Sequence, residues 1–124
     1  MIDKTMIKLV LADDQTLVRG ALAALLSMEN DLEIVGTCGR GDEVFALVQA
    51  THADVCLLDI EMPGIDGITV AAELRDQASW CRVLIVTTFG RPGYLRRAMD
   101  AGVAGFLVKA TPAADLARGV REAH

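Results

Sequence analysis

Along the chain, short apolar runs alternate with longer helix-like stretches, five times over. The runs cover residues 6–12, 33–38, 55–59, 83–87 and 105–108. Three of them are nearly unbroken: Ile7, Leu9, Val10 and Leu11; Val55, Cys56, Leu57 and Leu58; Val83, Leu84, Ile85 and Val86. A strand with one wet face alternates apolar and polar residues, so unbroken runs predict strands covered on both faces, as in a parallel sheet. The intervening stretches predict helices over 15–28, 41–49, 67–77, 92–101 and 112–122. Pro92 and Pro112 suit first helical turns, with Thr111 as the expected N-cap before Pro112. Gly102 stands where a helix-ending glycine belongs. Five strand–helix units predict right-handed crossovers and a doubly wound α/β fold. No linker, repeat or low-complexity stretch interrupts them.

Composition narrows the picture. With 124 residues, 52% of them hydrophobic, the chain can bury the core of a single domain, and with only 4% aromatic residues that core is aliphatic. Seventeen acidic residues against twelve basic ones give a net charge of -5, which argues against this chain alone gripping a phosphate backbone. Cys38, Cys56 and Cys81 follow no zinc or redox spacing and read as reduced thiols of a cytoplasmic protein. The most apolar stretch, 17–28, is too short for a bilayer and contains Arg19 and Gly20. The start of the chain lacks a signal-peptide pattern, so a soluble, cytoplasmic domain without a membrane partner is expected.

Chemistry is expected where the strands end. Asp13 and Asp14 follow the first run, Asp59 ends the third, Thr87 ends the fourth and Lys109 follows the fifth. In an open parallel sheet, sites form in the crevice outside the carboxyl ends of the strands. Three carboxylates there repel one another unless a cation sits among them, and an all-oxygen set suits a hard ion, most simply Mg²⁺. Lys109 adds a point charge and Thr87 a hydroxyl donor, which together describe a pocket for a phosphoryl group. An Asp carboxylate beside Mg²⁺ can itself attack phosphorus. A lone acid at a strand end is usually a turn former or a cap, and Asp66 and Asp115 fit that plainer role. Arg40-Gly41-Asp42 reads as the turn into the second helix.

At these residues the chain resembles the receiver domain of two-component response regulators. The matching pieces are LVLADDQTLVR at 9–19, VCLLDIEMPGIDG at 55–67, VLIVTTF at 83–89 and AGVAGFLVKAT at 101–111. They cover essentially the whole chain, and its last third is similar to the NarL/FixJ subfamily. The resemblance implies a flavodoxin-like five-stranded parallel sheet in the order 2-1-3-4-5 with five helices. It implies Asp59 as the phosphoacceptor and Asp14 as a direct Mg²⁺ ligand. Asp13 would help through water or as a second ligand, and Glu61 would contribute its backbone carbonyl. Thr87 and Lys109 would bind the phosphoryl group, and Phe106 would be the aromatic switch residue. Two departures stand out. Ala110 follows Lys109 where the family commonly has Pro, often in a cis peptide; a cis bond before a non-proline costs about 3 kcal/mol, which leaves a trans bond with a relaxed loop or a strained site. Phe106 also lacks the hydroxyl of Tyr.

The partners implied are a sensor histidine kinase, a second copy of the chain on phosphorylation, and DNA only through a C-terminal helix-turn-helix domain that these 124 residues do not contain. Transcription would be controlled that way, by a signalling domain with self-phosphorylation chemistry and no enzymatic turnover. The first helix is apolar nearly all round, beyond the stripe that covering a sheet requires. Its surplus (Val18, Leu22, Leu25, Leu26), with Leu116 of the fifth helix, is the expected dimer surface, and the fourth helix–fifth strand–fifth helix face is the alternative. The loop 88–93, with two glycines around Pro92, is suited to absorb backbone change as Thr87 moves. Two competing readings are weaker. A haloacid-dehalogenase-type phosphohydrolase has its nucleophile early and its acid pair late, the reverse of this order. A nucleotide-binding module would need a glycine-rich loop that is absent here.

Overall fold

The apolar runs form one five-stranded parallel sheet in the order β2-β1-β3-β4-β5. Its strands are β1 (Ile7–Ala12), β2 (Leu32–Cys38), β3 (Val55–Leu58), β4 (Arg82–Thr87) and β5 (Gly105–Val108). The helices are α1 (Thr16–Ser27), α2 (Val44–Thr51), α3 (Gly67–Gln77), α4 (Pro92–Asp100) and α5 (Ala113–Ala123). This computed structural model describes residues 6–88 and 92–124. Phe89, Gly90 and Arg91 of the expected hinge loop lie outside the described residues, as do the first five residues.

Burial on both sides explains the unbroken runs. All four residues of β3 are buried, as are five of the six in β1 and in β4, because helices cover both faces. On one face α2, α3 and α4 bring Val44, Val48, Val70, Leu74 and Ala98 against Val10, Cys56 and Ile85. On the other, α1 and α5 bring Leu22, Leu26, Leu116 and Val120 against Leu9, Leu57 and Leu84. The two edge strands are less buried, β2 with only Leu32 buried and β5 with none, and the β2 register slips opposite Leu9 and Val10.

Several local expectations need correction. Residues 41–43 make a short 3₁₀ turn, so the second helix starts at Val44. The turn is closely packed: a Cβ on Gly41 would lie 1.7 Å from the Ile65 carbonyl oxygen. Thr111 does not cap the last helix. Pro112 holds that position itself, with extended ψ of 146°, and its carbonyl accepts from the amides of Asp115 and Leu116. The Lys109–Ala110 peptide is trans, since no cis bond occurs among the described residues. Finally, Leu22, Leu26 and Leu116 point into the core and hold their helices to the sheet, so they cannot form a surface. Val18 is half-buried against the same core, and the exposed apolar residues of this region are Leu17, Leu25 and Met28.

Register positions the site. Ala12 lies beside Leu58, Leu58 beside Ile85, and Thr87 beside Val108. The backbone ladder then continues one step past the strands. Asp13 N–H donates to Cys38 O at 3.0 Å, Asp59 N–H to Ala12 O at 3.0 Å, and Lys109 N–H to Thr87 O at 2.7 Å. The residues that follow three different strands are thereby fixed in one row by main-chain bonds.

Candidate functional site

Three polar residues are buried among the described residues, Asp13 at 2% exposure and Asp59 at 5% in that row, and Thr87 at 2% at the end of β4 beside it. Burying a carboxylate is unfavourable unless it is paired, and here the pairing comes from one side chain. Lys109 Nζ lies 2.7 Å from Asp13 Oδ2 and 3.1 Å from Asp59 Oδ2. Its third contact is Gln15 Oε1 at 2.9 Å. An ammonium has three N–H donors, so all of them have an acceptor. Burial works against the Lys109 charge, but the hydrogen bonds and charges of Asp13 and Asp59 outweigh it and hold its pKa above the ordinary value. For Asp59, burial pushes the carboxyl up; Lys109 pulls it down without fully offsetting burial, and Asp13 adds to the rise.

Asp14 is exposed, and oxygens of Asp13, Asp14 and Asp59 all lie within 4.8 Å of one another. Two oxygens on one Mg²⁺ at ~2.1 Å stand at most about 4.2 Å apart, so this cluster needs only a small closure to share an ion. With three carboxylates and one ammonium the set is two negative charges in excess. An oxygen-only set open to water on the Asp14 side fits a hard, partly hydrated cation, and Mg²⁺ is the simplest such ion.

The supports are local. Arg19, one turn into α1, donates from its guanidinium to the Asp13 backbone carbonyl at 2.7 Å. Gln15 N–H donates to Asp13 Oδ1 at 2.9 Å, which orients that carboxylate. After Asp59 the chain turns back, and Gly67 N–H donates to Ile60 O at 2.8 Å. A Cβ on Gly67 would lie 2.1 Å from the Asp59 carbonyl oxygen, so only glycine lets α3 start this close to Asp59. Asp66 caps that helix, accepting from the amides of Ile68 at 2.9 Å and Thr69 at 3.0 Å. In the same loop the Glu61 carboxylate accepts from the Tyr94 hydroxyl of α4 at 3.2 Å.

The resulting cavity, about 140 Å³, is lined by Asp14, Gln15, Asp59, Glu61, Thr87, Thr88 and Lys109. Pockets for organic ligands are typically ~300–1,000 Å³, so this one suits an ion and a small anion rather than a metabolite. The structure thus brings together Asp13, Asp14, Asp59, Glu61, Thr87 and Lys109. Phe106 is not among the lining residues; it is half-buried and packs against the α2–α3–α4 side of the core. Sequence reasoning missed Gln15, Arg19, Thr88 and Tyr94. For Gln15 the available signal was its position directly after the acid pair.

No helix of the described residues is long and apolar enough to cross a membrane. The response regulator receiver domain family matches residues 9–121. The transcriptional regulatory protein DesR of Bacillus subtilis (strain 168) is 45% identical over 116 residues, covering 94% of this chain and 57% of that protein. The chain therefore spans little more than half the length of such curated relatives. Among solved structures, the signal receiver domain of the response regulator NarL from Mycobacterium tuberculosis superposes with a TM-score of 0.91 at 32% identity, covering 95% of each chain. A DNA-binding response regulator of the LuxR family from Staphylococcus aureus gives 0.91 at 33%, covering 95% of this chain and 98% of that one.

Proposed function

This chain belongs to the response regulator receiver domains of two-component systems, and from that premise we propose that Asp59 accepts a phosphoryl group from a sensor histidine kinase. The observation that carries the reading is the Lys109 ammonium between Asp13 and Asp59 in a small cavity beside the buried Thr87. In the transfer, an Asp59 oxygen forms a bond to phosphorus as the bond from phosphorus to the kinase histidine nitrogen breaks. The nitrogen keeps the electron pair, and the product is a mixed anhydride on Asp59. Lys109 exchanges its Asp59 contact for a phosphoryl oxygen, and the Thr87 hydroxyl donates to another. Asp13, Asp14 and Asp59, with the Glu61 backbone carbonyl, would hold Mg²⁺, which supplies charge neutralisation for the phosphoryl oxygens.

Output follows from the same residues. A Thr87 drawn toward the phosphoryl group vacates space beside β4 and β5, into which Phe106 turns. Dimerisation through α1 and α5 would use Leu17, Leu25 and Met28, the exposed apolar residues of that region, with Val18 at their edge. Control of transcription would require a DNA-binding domain in addition to these residues, and the domain acts as a signalling module in the cytoplasm.

The test is intact-mass measurement and peptide mapping after incubation with Mg²⁺ and acetyl phosphate, with Asp59→Asn as control. One Mg²⁺-dependent phosphoryl adduct on Asp59, absent in the variant, is the expected result. A folded protein that takes no adduct would overturn the phosphoacceptor reading.

A further inference from the structure

Gln15 occupies the N-cap position of α1, where a side-chain oxygen ordinarily accepts from the first amides of the helix. It makes no such bond. Its side chain instead crosses to Lys109, 94 positions later, and accepts from Nζ at 2.9 Å. The amide lines the cavity together with Asp14, Asp59 and Thr87. The contact spans the site from the end of β1 to the end of β5, so it belongs to the site and not to the local helix start.

The other two acceptors of Lys109 are carboxylates, and both change during phosphorylation. Asp59 Oδ2, the longest contact at 3.1 Å, belongs to the group that becomes a mixed anhydride. Asp13 Oδ2, at 2.7 Å, belongs to the group whose charge a cation claims. The Gln15 oxygen carries no net charge and takes no part in the bond changes. It is the one partner of Lys109 that can persist from the free site to the phosphorylated one. A lysine has large rotamer freedom to lose on being fixed, and a persistent neutral acceptor removes that loss from the transfer step.

We propose that Gln15 is a positioning residue that keeps Lys109 aimed at the phosphoryl site while the two carboxylates change partners. The inference rests on the phosphoacceptor reading of Asp59. Its test compares wild type with Gln15→Leu, of similar size but without an acceptor, and with Gln15→Ala in case the leucine variant folds poorly. Four quantities are read: the maximal rate and half-saturating concentration for acetyl phosphate, Mg²⁺ affinity by calorimetry, and the Lys109 Nζ resonance by NMR with Mg²⁺ and beryllofluoride. Losing one hydrogen bond to a charged group should lower the maximal rate on the order of tenfold. The half-saturating concentration and the Mg²⁺ affinity should stay within about threefold. The Nζ protons should be observable in wild type and exchange-broadened in the variants. Variants labelled at the wild-type rate with an unchanged Nζ signal would overturn the role of Gln15 and leave Asp59 as acceptor. A wild type without an adduct would overturn both.

Discussion

At the carboxyl ends of the strands, Asp13, Asp59 and Thr87 are buried and the two acids share one ammonium. At the amino ends of the same strands, polar and aromatic residues meet in pairs that water reaches. There Lys8 N–H donates to Asp54 Oδ2 at 2.9 Å, and His52 stacks on the exposed Trp80 at 4.6 Å between ring centres. The parallel sheet makes its ends unlike, with strand ends and helix starts meeting at the carboxyl side, and the side chains placed there add the chemical difference. Exposed pairs contribute little to stability and ask for no explanation beyond local geometry. A buried cluster with more negative than positive charge lowers stability, which marks it as a candidate binding site.

Removing the shared cation should have the largest effect. Lys109→Met leaves two buried carboxylates facing each other, and breaking such a pairing typically destabilises by about 3 kcal/mol. Urea unfolding at neutral pH without Mg²⁺ measures it. Burial and the nearby Asp13 raise the Asp59 carboxyl, and the variant loses the Lys109 contact that pulls it down, so stability is recovered as pH falls and a proton binds Asp59 in the folded form first. A variant as stable as wild type would mean that Lys109 is not what compensates these acids.

Cation binding should come next. Mg²⁺ at 100 times its dissociation constant stabilises a folded site by about 2.7 kcal/mol, read as a rise in the unfolding midpoint. Asp14→Asn should shrink that gain, yet without Mg²⁺ it should be slightly more stable than wild type because one of three like charges is gone. Asp54→Asn, at the opposite end, should leave the Mg²⁺ response unchanged. Equal responses in the two variants would erase the distinction between the ends.

The helix cap of the β3–α3 loop should matter less. For Asp66, burial works against the charge, but hydrogen bonds from Thr69 and Ile68 and the nearby Arg97 outweigh it and hold the carboxyl below its usual range. Asp66→Ala should cost about 1 kcal/mol. Because the folded pKa is the lower one, the cap's contribution is complete above the ordinary Asp value near pH 4 and fades as pH falls through the folded value. Denaturation midpoints of the two proteins should therefore converge in acid.

The sheet could be read from the sequence because burial on both faces leaves unbroken apolar runs, and the site could be read because its acids and lysine directly follow those runs. What escaped notice depends on contacts between distant segments. The glutamine at 15 and the arginine at 19 resemble ordinary helix-start and surface residues until Lys109 and the Asp13 carbonyl are placed beside them. The apolar excess of α1 misled in the opposite direction. Leu22 and Leu26 are buried in the core under β1, and Leu17, Leu25 and Met28 are left exposed, at 86%, 46% and 77%. Periodicity shows how many apolar residues a helix has, whereas the orientation set by α5 and β2 decides which are left over.

The smallest effect belongs to the amino end. His52 ends α2 in the left-handed region, with φ of 54°, and its ring stacks on Trp80 at an interplanar angle of 13°. A side chain in that region costs roughly 1 kcal/mol, which glycine avoids. An aromatic pair contributes about 0.5–1.5 kcal/mol, toward the lower figure where water reaches it. In His52→Gly the two terms oppose each other, so stability should stay within about 1 kcal/mol of wild type. His52→Asn separates them, because Asn tolerates the left-handed region but has no ring, and it should be the less stable of the two. Trp80 fluorescence should change in both variants, since the stacked ring is gone from each. Phosphorylation of Asp59 should proceed at the wild-type rate, and a slower rate in either variant would show that the two ends of the sheet are coupled through the strands between them.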